Sequence, residues 1–133
     1  MATHDPEGDT LYGADACALI SNSSGACGVA YLMTNVSNGF KSSAFSVTVR
    51  SCAVGNLTYA HELGHNFSSP HTHCFVPEID RCATQTGCFE GTIVPSVGTI
   101  MSYCSQSESV FHPRVKDERI RPGAESAYPA CID

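Results

Sequence analysis

Short apolar runs dominate the first fifty residues, and a helical stripe follows them. Residues 1–12 are polar and carry Pro6 and Gly8, which predicts a loop or the remnant of an element that begins further upstream. Asp15-Ala-Cys-Ala-Leu-Ile20 is a nearly continuous apolar run closed by Ser21-Asn-Ser-Ser-Gly25, the pattern of a buried strand followed by a turn. Cys27-Gly-Val-Ala-Tyr-Leu-Met33 predicts a second strand, and Phe45-Ser-Val-Thr-Val-Arg50 alternates with the period of a third, half-buried one. The spacing then changes. In the stretch 57–67, Ala60, Leu63, Gly64 and Phe67 stand at offsets of 3, 4 and 7, which predicts a helix with one face on a core and either Thr58 or Asn56 as its cap. From Ser68 to Gly98 periodicity is lost among Pro, Cys, Thr and Gly, so a long irregular segment is expected there. Pro113 suits the first turn of a short helix running to about Ile120 and ended by Pro122-Gly123.

With 133 residues the chain is one domain, 1–133, and its 42% hydrophobic content is enough for a small core. Seven Lys and Arg stand against thirteen Asp and Glu, with the basic residues scattered, so the electrostatic footprint of a nucleic-acid binder is absent. No stretch approaches the roughly 20 apolar residues of a membrane span. Met1-Ala-Thr-His-Asp-Pro-Glu-Gly8 has neither the basic nor the apolar region of a secretory signal. Eight cysteines, at 17, 27, 52, 74, 82, 88, 104 and 131, point the other way, because this density belongs to oxidised, exported domains. A cytosolic zinc-thiolate protein is the competing reading, but it would place Cys in close C-x2-C pairs, and none occurs. An extracellular chain that is an excised piece of a longer precursor reconciles the two signals.

The chemistry is concentrated at His61-Glu-Leu-Gly-His65, an H-E-x-x-H string on the expected helix. Spacing of i, i+4 puts both imidazoles on one face a turn apart, where they converge on a metal. Glu62, beside His61 on the rim of that face, is placed to act as general base on a metal-bound water. His71 can return to the same metal only if the helix ends sharply, and Ser68-Ser69-Pro70 supplies that break. His73 is an alternative third ligand with less suitable spacing, and His4 and His112 are expected to be surface bystanders.

The string from His61 to His71, followed by Gly98-Thr-Ile-Met101-Ser-Tyr103, resembles the metzincin signature of extended zinc motif plus Met-turn. Within the metzincins it looks like the reprolysin-like, adamalysin-type catalytic domain in its bacterial secreted form. Cys27-Gly-Val-Ala-Tyr-Leu32 is similar to that family's substrate-binding edge strand, and Tyr12-Gly-Ala-Asp15 resembles the lead-in to the preceding one. The resemblance implies an α/β (α+β) fold: a short mixed sheet, an active-site helix, a long disulfide-pinned loop, a Met-turn and a C-terminal helix. It also implies that the N-terminal part of the domain, two strands and two helices, is lacking. The implied activity is that of a zinc-dependent endopeptidase, with Zn2+ on His61, His65 and His71, Glu62 as general base, and extended protein or peptide substrates along residues 28–32.

The chain departs from that family at Ser68, where Gly is usual because a turn at positive φ costs a side chain roughly 1–2 kcal/mol. It departs again at Thr72, where Asp commonly follows the third His and holds a ligand in orientation. Met101 is read as packing beneath the site, and Tyr103 as a core or disulfide-packing residue, although astacins and serralysins carry a tyrosine there that approaches zinc. Cys74, Cys82, Cys88 and Cys104 are expected to pair among themselves, with Cys131 tying the C-terminus back by analogy. No Asp/Asn/Glu loop suits calcium. The alternative function is a catalytically incompetent, disulfide-rich zinc fragment or binding module that self-associates through an exposed sheet edge.

Overall fold

The structure, a computed structural model, describes residues 16–22 and 25–127; the expected N-terminal loop, His4 and Cys131 lie outside them. Three strands form one mixed sheet: β1 (Cys17–Ser21), β2 (Gly28–Ala30) and β3 (Phe45–Val49). Their order is β1-β3-β2, with β1 parallel and β2 antiparallel to the central β3. Val47 faces Leu19 on one side and Val29 on the other, so these three side chains share a face. On the opposite face lie Ser46 and Thr48, and it is these that are buried.

The alternation in β3 is therefore real, but its polar phase is the covered one. Helix α1 (Thr58–Asn66) packs on the Ser46/Thr48 face, against both β2 and β3. Asn66 takes part in the seam: its Nδ2 donates to Tyr31 O at 3.0 Å and to Phe45 O at 3.3 Å, bridging the ends of β2 and β3. The expected burial of the first strand does not hold. Leu19 is 61% and Ile20 47% exposed, because β1 sits at the sheet's edge and, among the described residues, nothing covers it.

The entry to α1 also differs from expectation, since neither Asn56 nor Thr58 caps it through a side chain. Thr58 is the first helical residue, and Leu57 before it takes a left-handed φ of 58°. The turn preceding the helix does the capping with backbone. Thr58 N donates to Cys52 O and Tyr59 N to Ala53 O, which satisfies donors a side chain would otherwise serve. The Cys27–Cys52 disulfide fixes this turn to the start of β2.

At its other end α1 closes as a Schellman motif: Ser68 N donates to His65 O and Ser69 N to Gly64 O. Ser68 occupies the left-handed position with φ 74°, as its alignment with a glycine position implied. The segment beyond is irregular, with a 3-10 turn at Thr72–Cys74 and an isolated bridge between Arg81 and Val94. Disulfides Cys74–Cys88 and Cys82–Cys104 pin it to itself and to the Met-turn, within the group of four cysteines expected to pair. Two short parallel strands, β4 (Val97–Gly98) and β5 (Gln106–Ser107), flank that turn.

The C-terminal helix is longer than its sequence suggests. α2 (Pro113–Val115) begins with Pro113 in the first turn, as expected, but the helix continues through a π turn at Lys116–Ile120 into α3 (Arg121–Ala127). Pro122 and Gly123 do not stop it. The wider π turn just before Pro122 accommodates a residue that cannot donate. Gly123 is needed for contact, since a Cβ there would sit 2.5 Å from Phe67 O at the end of α1. His112, expected at the surface without a role, is partly buried and caps this helix: Arg114 N donates to its Nδ1 at 3.2 Å.

Two small cores support these elements. Met33 and Ala44 are packed by Ala16, Phe40 and Phe67. Phe75, Ile100, Met101 and Val115 form the second with Leu57, Ala60, Ile79, Phe111 and Ile120, and it lies under α1 and the Met-turn. Arrangement of these helices and small sheets is that of an α+β metzincin-like domain.

Candidate metal centre

On α1 the buried face is chemical rather than apolar: His61, Glu62, Gly64, His65 and Asn66 are buried, while Ala60, Leu63 and Phe67 are only partly so. The expected stripe does meet the two cores, with Ala60 on one, Phe67 on the other and Gly64 buried against Met101, while the histidines and Glu62 occupy the more protected side. Gly64 permits this. A Cβ there would lie 2.5 Å from Met101 Sδ, so the fully buried Met101 rides directly against the helix beneath the histidines.

His61, His65 and His71 converge, with one ligating atom from each within 4.8 Å of the others. Two of the imidazoles are oriented by main chain. His61 Nδ1 lies 2.6 Å from Ile100 O and His65 Nδ1 2.7 Å from Ser69 O. A carbonyl can only accept, so both Nδ1 atoms carry the proton and both Nε2 lone pairs are left for a cation. His71 is held differently, its Nδ1 lying 3.4 Å from Gln85 Oε1.

Burial keeps this cluster neutral. His65 is pushed down to about 4 by desolvation and by His61, and His71 to about 4 by desolvation and by His65 and His61. His61 is lowered as well, again chiefly by burial. Three neutral imidazoles with free Nε2 atoms suit a borderline divalent cation such as zinc, so the residues present fit a metal.

Glu62 is 6% exposed, and burial pushes its carboxyl up to about 7. It lines an open pocket of about 540 Å³ together with His61, Gly28, Thr58 and Tyr103. Gly28 in β2 makes room for it, since a Cβ at that position would stand 2.5 Å from Glu62 Oε1. Tyr103 is not a core residue. It is 55% exposed, its ring 4.3 Å from that of His71 and stacked at 5.9 Å on that of His61. Burial and the nearby charge of Glu62 raise its phenol.

His73 does not join the three-histidine cluster. It is 1% exposed and stacks at 5.4 Å on His71, and neither of its ring nitrogens has a partner among the described residues. Thr72, standing where an acidic neighbour was expected, does other work: its N and Oγ1 both donate to Met101 O, at 3.1 and 3.2 Å. This ties the third histidine's segment to the Met-turn. Two further sets fall within ligating distance, His71 with His73 and Cys74, and Asp80 with Cys82 and Cys104, but all three sulfurs are spent in disulfides. Neither Gln85 nor the backbone partners of His61 and His65 could be read from the sequence, since they come from chain positions with no local pattern.

A buried helix carrying two histidines and a carboxylate, with a third histidine delivered by the following turn, defines the class as a metallopeptidase-like α+β domain. A family model described as Metallo-peptidase family M12B Reprolysin-like matches residues 1–72, more than half of the 133-residue chain, and the chain belongs to that family. The comparisons with curated proteins and with solved structures gave no match.

Proposed function

We propose that the protein is a zinc endopeptidase in which His61, His65 and His71 hold the metal and Glu62 is the general base. The observation that carries this reading is the convergence of three neutral imidazoles beside a buried carboxylate at the mouth of an open pocket. When bound, zinc supplies Lewis-acid polarisation of a scissile carbonyl and activation of a water. Glu62, with an affinity for protons near neutrality, accepts the water's proton at a carboxylate oxygen and returns it to the leaving amine.

Substrate backbone is taken by β2. Because Val49 N bonds Cys27 O and Tyr31 N bonds Phe45 O, the odd-numbered positions spend their polar groups on β3. Gly28 and Ala30 therefore present theirs to the open edge, where an extended peptide adds as a further strand. A side chain next to the scissile bond enters the pocket lined by Asn56, Leu57, Thr58 and Ser102. Three disulfides among the described residues support a reading in which the protein is exported to an oxidising compartment.

Cleavage of casein by the oxidised, zinc-loaded chain tests the reading, with Glu62→Ala and a chelator as controls. Activity lost in both controls supports it, and activity retained in Glu62→Ala overturns the mechanism. A second reading, a zinc-holding binding module, is favoured by one observation: Leu19, Val29 and Tyr31 are each more than 60% exposed on the sheet. Absence of cleavage at one zinc per chain, with self-association at micromolar concentration, selects that reading.

A further inference from the structure

The three imidazoles differ in what orients them. His61 and His65 are held by carbonyls of Ile100 and Ser69, which the fold places whatever the side chains there. His71 alone depends on a side chain, the Gln85 amide, whose oxygen stands 3.4 Å from its Nδ1. Gln85 is exposed, so packing does not explain its position. Its backbone does. Gln85 N donates to Phe89 O at 3.0 Å, Cys88 N donates to Gln85 O at 2.9 Å, and Phe89 N donates to His73 O at 3.0 Å. The loop so formed is closed covalently by Cys74–Cys88, with Cα atoms 4.4 Å apart. One end of that disulfide is three residues beyond His71 and the other three beyond Gln85, so the bond locks the ligand's segment to the segment that orients it.

We infer that Gln85 is the positioning residue for the third imidazole, and that the Cys74–Cys88 disulfide holds it in place and so sets the affinity of the site for metal. An acceptor at Nδ1 fixes the tautomer that leaves Nε2 free and makes that nitrogen a better donor to a cation. Without it the His71 ring turns about χ2, and the site is left with two oriented ligands and one that is not. The inference rests on the assignment of His71 as a ligand.

The test is zinc affinity, measured by competition with a chromogenic chelator on the full oxidised chain. Gln85→Ala is expected to weaken zinc about tenfold, the lower end of what loss of such a partner costs. Gln85→Glu restores an acceptor and is expected to return affinity to wild type or above. Cys74→Ser with Cys88→Ser is expected to weaken zinc in the wild-type background and to add nothing in Gln85→Ala, since both changes remove one support. Unchanged affinity in Gln85→Ala, or a Gln85→Glu variant no better than Gln85→Ala, overturns the inference without touching the ligand assignment. His71→Ala separates the two: if it leaves zinc affinity intact, the ligand assignment itself fails and this inference with it. The single substitutions at Gln85 decide the matter even if the serine pair does not fold.

Discussion

Two halves of the candidate metal centre are built on different principles. The helical half, His61, Glu62 and His65, lies on α1, is buried, and takes its orientation from main-chain carbonyls and from Met101 beneath Gly64. The loop half, His71 with Tyr103 and Gln85, is more exposed, lacks regular structure, and takes its orientation from side chains and disulfides. A helix delivers its geometry through local hydrogen bonds, so two imidazoles four residues apart come already aligned. A loop must borrow rigidity, and here covalent closures and the Thr72 bonds to Met101 supply it.

The comparison predicts that chemistry and metal holding can be separated within the helical half. Glu62→Ala is expected to lower turnover by about 10²–10⁴ while zinc content stays at the wild-type level, measured by casein cleavage and metal analysis on the same sample. Parallel loss of metal would show that Glu62 belongs to the ligand set. Gly28→Ala should act on the same residue from outside α1. The added Cβ would stand 2.5 Å from Glu62 Oε1 and 2.6 Å from Thr58 Cγ2, so the carboxylate is displaced. Turnover is expected to drop on the order of tenfold or more with zinc affinity unchanged, and wild-type kinetics would show that β2 can move aside.

Acid tests both halves together. In the metal-free fold His65 and His71 take protons only near about 4, against an ordinary value of 6.5. Between about 4.5 and 6.5 the unfolded chain binds the two imidazole protons that the fold excludes, while Glu62, raised to about 7, binds in the fold one proton that the unfolded chain lacks. The imidazoles outnumber it, so stability is lost on balance as pH falls from about 6.5 toward 4.5. The urea midpoint of the chelator-treated protein should therefore decline from about pH 6.5 to pH 4.5, less steeply than two imidazoles alone would make it. A flat profile would mean that the imidazoles are solvated in the fold.

The smallest expected effect lies at the joint between the halves. Ser68 sits at φ 74° with its hydroxyl buried and without a hydrogen-bond partner among the described residues. Ser68→Gly removes both costs and is expected to raise stability by roughly 1 kcal/mol in thermal unfolding, with turnover unchanged. A destabilised variant would reveal a hidden bond to that hydroxyl.

The helical half was legible because its spacing is its geometry: His61 and His65 four residues apart can do little else on a helix than share a face. The positive φ at Ser68 was legible too, through the resemblance that places glycine there. Other features were invisible for a common reason. Period 2 in β3 says that two faces differ, not which one meets α1, and the helix chose Ser46 and Thr48. Pro122-Gly123 reads as a stop until a π turn and the close approach of Phe67 make both residues compatible with a helix.

By itself, then, the sequence determined the local matters: a helix with two imidazoles and a carboxylate, a sharp turn after it, a chain rich enough in cysteine to be stapled. Only the tertiary structure decided which backbone carbonyls meet His61 and His65, which amide meets His71, and why Gly28 has no side chain. The division has a physical basis. Hydrogen bonds within one turn repeat with a fixed period that a sequence displays, whereas contacts between Gln85 and His71, or Gly28 and Glu62, depend on how separately folded segments pack, and no spacing along the chain encodes that distance.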